Sequence, residues 1–78
     1  QQLSQDVELN QQAADQLESE QAQRYYDNFS NIAERMSDDQ LRSKYEQARR
    51  SFEENPDEFT AAEFAAYYEE ADDRATNP

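Results

Sequence analysis

The side chains able to do chemistry in this sequence are carboxylates and phenols. Aspartate and glutamate number 19 against seven lysines and arginines, with five tyrosines and neither histidine nor cysteine. Nine of the acids, Glu53, Glu54, Asp57, Glu58, Glu63, Glu69, Glu70, Asp72 and Asp73, fall in one stretch that holds no basic residue. Paired carboxylates can act as general acid and base, but only in a concave site that gives the two different environments. Imidazole and thiolate chemistry is absent, and without glycine there is no nucleophile elbow and no loop to cradle phosphate. These absences point away from an enzyme, and no catalytic residue or cofactor is expected.

Calcium is the next chemistry an acidic chain invites. An EF-hand loop needs alternating Asp or Asn ligands, a central glycine and a closing glutamate, and no segment supplies the glycine. Glu69, Glu70, Asp72 and Asp73 therefore read as a solvated charge run, and no metal is expected. Asn28, Phe29 and Ser30 match the glycosylation triplet, but Phe29 falls on an apolar stripe, which argues against its use.

What remains is recognition by charge. The formal net charge is -12, which repels nucleic acid and anionic lipid and attracts basic surfaces. The basic residues Arg24, Arg35, Arg42, Lys44, Arg49 and Arg50 sit mid-chain and leave the last third acidic. A carboxylate-rich helix surface serves solubility, and it can also stand in for the phosphates of nucleic acid, because both present negative charge at regular intervals. The adjacent pairs Tyr25, Tyr26 and Tyr67, Tyr68 add to this: neighbours on a helix point about 100° apart, so one of each pair is expected to be partly exposed as an interface anchor. Tyr68 joins the nine acids as the expected partner-binding set.

Helices must position these groups. No glycine and only two prolines interrupt a chain rich in Ala, Glu, Gln, Leu and Arg, all good helix formers. Ala22, Tyr26, Phe29, Ala33 and Met36 alternate steps of four and three and predict a helix over about 21–36. Ser37 with Gln40 reads as a capping box opening a second helix over about 38–54, which Pro56 ends. The five-residue step from Met36 to Leu41 predicts a corner there. Thr60 with Glu63 reads as another capping box, opening a third helix over about 61–74, with Phe59 stapled on Phe64 and Asn77 and Pro78 ending it. Residues 1–20 carry a weak stripe of Leu3, Val7, Ala14 and Leu17. They are expected either to extend the first helix as an arm or to fray as a polar tail.

The fold class expected is all-α, a small three-helix bundle over residues 21–78 with that N-terminal arm. Its core is expected from Phe29, Ile32, Met36, Leu41, Tyr45, Phe52, Phe59, Phe64 and one of Tyr67 and Tyr68. With 78 residues such a core is close to the minimum that folds alone, so stabilisation by a partner or by self-association is expected. No apolar run is long enough to span a bilayer, and a cytoplasmic protein without membrane contact is expected.

The run Glu63, Phe64, Ala65, Ala66, Tyr67, Tyr68, Glu69, Glu70, Ala71, Asp72, Asp73, Arg74, preceded by Thr60, resembles a segment of the Hha/YmoA family. Asp73 stands where that family carries histidine. The resemblance implies a small helical co-regulator that binds the oligomerisation region of the nucleoid protein H-NS, with Asp72 at the contact and Tyr68 and Arg74 beside it.

Three functions are thus open. The foremost is a protein-binding regulator or inhibitor, of phage or plasmid type, that docks carboxylates on the basic surface of a nucleic-acid-binding protein. An Hha-like co-regulator is the second. The third is a homodimer or larger assembly built through the N-terminal stripe.

Overall fold

The structure is a computed structural model that describes residues 2–76, with side chains from residue 6 onward. Four helices form: α1 (Gln2–Asp15), α2 (Glu20–Glu34), α3 (Asp38–Glu54) and α4 (Glu58–Thr76), with no strand among the described residues. The bundle is all-α, as expected, but has four helices instead of three. The fourth comes from the segment read as an arm or tail. Leu3, Asn77 and Pro78 lie outside the described side chains.

Hydrogen-bonded caps set the corners. Ser19 opens α2, its Oγ accepting from the Ala22 amide at 3.0 Å while its hydroxyl donates to Glu58 at 2.8 Å. A serine cap satisfies an amide that the helix leaves unpaired, and here it also ties the start of α2 to the start of α4. The Ser37 and Gln40 capping box is present in full at the start of α3. The next boundary differs from expectation, because α4 begins at Glu58 with Asp57 as its cap. The Asp57 carboxylate accepts from the Thr60 amide at 2.9 Å, and the Asp57 amide donates to Thr60 Oγ1 at 3.0 Å. Thr60 is therefore the reciprocal partner three residues into the helix, and its hydroxyl also donates to the Asn55 carbonyl at 2.8 Å.

α4 is the hub that packs against each of the other three helices. Within residues 60–67 every side chain is buried except Glu63. A helix covered all round is a core helix, and its alanines let neighbours approach closely. α2 runs parallel to α4, with Ser19 beside Glu58 and Ala33 beside Arg74. α3 runs antiparallel, with Phe52 beside Phe64 and Asp38 beside Arg74. Phe64 is fully buried, stacked on Phe52 at 6.0 Å and tilted against Tyr45 at 5.5 Å. The radius of gyration, 11.5 Å, is that of a compact chain of this length.

Two expected core positions turn outward. Ile32 is 47% exposed and Phe59 49% exposed. Phe59 does not staple Phe64; with the helix opening at Glu58, its ring packs edge-on against Tyr25 at 5.2 Å and Phe29 at 5.3 Å. In α1, Val7 and Ala14 face solvent while Ala13 is fully buried and Leu9 packs on the core, as does Leu17 in the turn that follows. Ala13 takes the buried place expected of Ala14, and Asp6 accepts from the Tyr45 hydroxyl at 2.7 Å beside the exposed Val7, while Leu17 packs inward as its stripe predicts.

Candidate acidic docking surface

Because α4 is central, the carboxylates of residues 53–73 spread around it instead of forming one continuous face. Glu53 and Glu54 are exposed at the end of α3, and Asp57 is spent on the α4 cap. Glu58 is half-buried under Ser19. Glu63 is half-buried on the opposite side of α4, its carboxyl raised above the ordinary range by burial, with Tyr67 and Lys44 partly offsetting the shift. Tyr68 is half-buried, stacked on Tyr45 at 6.4 Å and against Phe64 at 6.0 Å. Burial pushes its phenol up, so it belongs more to the core than to an interface. Asp72 is exposed one turn beyond it.

The tertiary fold does gather Glu69, Glu70 and Asp73. They line one wall of a groove of ≈ 270 Å³ between α4 and α2, whose other wall is Tyr26, Ser30 and Glu34. No basic side chain lines this groove. The Tyr26 hydroxyl donates to Glu69 across it, and burial, reinforced by that carboxylate, pushes the phenol up to about 12. Tyr26 therefore remains a neutral donor that braces Glu69 from below. Tyr26 and Glu34 were not among the acids and tyrosine expected at the site. Their signal was their spacing, since Tyr26, Ser30 and Glu34 recur every four residues and so share one helix face.

Arg74 pairs with one of these acids and spends its remaining donors on the corner beyond them. Its Nε donates to Glu70 at 2.8 Å, Nη1 to Asp38 at 2.8 Å, and Nη2 to the carbonyls of Ala33 at 3.0 Å and Met36 at 2.7 Å. It adds to the bond that the Ala33 carbonyl at the end of α2 accepts from the Met36 amide at 3.1 Å, and through the Met36 carbonyl it braces the corner into α3.

The arrangement offers an open trough of separated carboxylates. Among the described residues no three acidic groups converge closely enough to hold a metal ion. Charge spread along a trough suits an extended cationic partner better than a point ion. No helix among the described residues is long and apolar enough to cross a membrane. Comparison with family models, curated proteins and solved structures finds no match to this chain.

Proposed function

We propose that this protein is a non-enzymatic binding module that docks its acidic groove on the basic surface of a nucleic-acid-binding protein, in the place nucleic acid would take. The observation that supports this most is the convergence of Glu34, Glu69, Glu70 and Asp73 on one trough, Glu70 being paired also with Arg74, in a chain of net charge -12. Lysine and arginine side chains of a partner would enter the trough as they enter the field of a phosphate backbone. The long-range field speeds their encounter. Glu53, Glu54 and Asp72, exposed at the two ends of the molecule, extend that field beyond the groove.

The test is capture of partners from the native host on immobilised protein at low salt, elution in a salt gradient, and competition by duplex DNA. The reading expects basic, DNA-competed proteins that elute as salt rises, and their loss on a Glu34→Gln, Glu69→Gln, Asp73→Asn variant. Retention that neither salt nor DNA disturbs would overturn it.

A second reading, a co-regulator of an H-NS-type nucleoid protein, is favoured by the exposure of Asp72 one turn from Tyr68. Asp72→Ala alone would then abolish binding to the oligomerisation region of such a protein, while the groove variant would leave it intact. The reverse pattern favours the first reading.

A further inference from the structure

α2 carries two functional stripes about 100° apart. One, Tyr26, Ser30 and Glu34, walls the acidic groove. The other, Tyr25, Phe29 and Ile32, lies on the far side of the α2 and α4 seam, where it meets Phe59. Phe59 is 49% exposed and Ile32 47% exposed, the two largest exposures among the apolar side chains that stand out of the core. Three of the four touch: Phe59 packs edge-on against Tyr25 and Phe29, and Phe29 rests on buried Tyr67 at 5.9 Å, while Ile32 stands one turn further along the same face of α2. Ordered aromatic rings held half out of the core are the kind of patch that anchors an interface. α4 packs against α1, α2 and α3, and Glu63, the one side chain of residues 60–67 that is not buried, lies one turn beyond Phe59.

The charges that border the patch identify what covers it. On the α2 side the next row outward is Arg24, Asn28 and Arg35, all exposed, and among the described residues no ion pair holds either arginine. On the α4 side the bordering charge is Glu63, one turn after Phe59 and half-buried. The patch is thus apolar in the middle and cationic on its α2 flank, while its α4 flank carries Glu63 with Lys44 of α3 close enough to act on its charge. Because α2 and α4 run parallel, with Ser19 beside Glu58, Arg24 stands near the level of Glu63. A two-fold axis lying along the seam sets α2 of one copy over α4 of another at the same level.

We propose that this face is the contact between two copies of the chain, in a symmetric dimer that stacks the Phe59 and Ile32 patches and pairs Arg24 of each copy with Glu63 of the other. Self-complementarity of this kind is what an isologous interface requires. The acidic grooves stay outside the contact, on the opposite side of each seam, so the dimer presents two of them. A basic partner with repeated sites then gains avidity.

Sedimentation equilibrium of the whole chain, from micromolar to near-millimolar concentration at physiological salt, tests this. There the Debye length of about 8 Å mutes repulsion between the two acidic copies. A reversible monomer–dimer equilibrium is expected, weakened about tenfold or more by Phe59→Ser and by Ile32→Ser, with helicity unchanged because both side chains are half exposed. Arg24→Glu alone weakens it, and adding Glu63→Lys restores it. A monomer throughout the range would overturn the proposal and leave the face to a different protein. A dimer that Phe59→Ser and Ile32→Ser leave intact would overturn it as well.

Discussion

Arg74, near the end of the chain's last helix, donates to the main-chain carbonyl of Met36 at 2.7 Å. That bond joins residues 38 apart in sequence and lets one guanidinium close α2, hold α3 through Asp38 and remain on α4 through Glu70. In a bundle with so small a core the corner depends on it. Arg74→Met should lower Tm clearly in thermal unfolding followed by circular dichroism. Arg74→Lys should recover only part of the loss, since an ammonium lacks the planar fork that reaches several acceptors at once.

Phe64 is the largest fully buried side chain. Its replacement by alanine removes the ring on which Phe52, Tyr45 and Tyr68 pack, and a loss of about 3–5 kcal/mol is expected. For a domain of this size that is a large share of the total, so Phe64→Ala should be substantially unfolded in urea titrations where the wild type is native.

The Asp57 cap predicts a smaller, local effect. Asp57→Ala leaves the Thr60 amide without its carboxylate acceptor and should cost about 1 kcal/mol, read as a lower urea midpoint with an unchanged slope. Thr60→Val should also destabilise, because it removes the hydroxyl that accepts from the Asp57 amide and donates to the Asn55 carbonyl.

Glu63 has its pKa raised in the folded state, chiefly by burial. The folded protein therefore holds that proton more tightly than the unfolded chain. The stability linked to it is greatest at low pH and falls as pH climbs from the unfolded carboxyl range through the folded value. Glu63→Gln removes this dependence. The difference in urea midpoint between variant and wild type should grow in favour of the variant as pH rises from acid to neutral.

At the other end of the pH scale, burial pushes Tyr26 and Tyr67 up to about 12, and Tyr45 still higher with Asp6 as its acceptor. The folded protein keeps these protons where the unfolded chain, with phenols near 10, has lost them. Stability should fall as pH rises above that value. Phenolate absorbance should show these tyrosines titrating late, in step with loss of helical dichroism.

The helices could be read from the sequence because their signals are local. The Ser37 and Gln40 box and the stop before Pro56 act within a few residues, and α3 spans Asp38–Glu54 as that pattern predicts. The start of α4 was misplaced because both Asp57 and Thr60 are competent caps; in the fold Asp57 takes the cap, and Thr60 bonds back to it and to the Asn55 carbonyl. In α1, Ala13 takes the buried place expected of Ala14, and the partner of Asp6, Tyr45, lies 39 residues away.

By itself the sequence determined helix type, most helix boundaries and the net charge, all of which depend on residue identity and near neighbours. It could not say which helix would be the hub. α4 takes the centre because its alanines admit three neighbours at once, a property of packing and not of periodicity. That choice divides the carboxylates, gathers Glu34 with Glu69, Glu70 and Asp73 from helices distant in sequence, and leaves Phe59 and Ile32 at the surface.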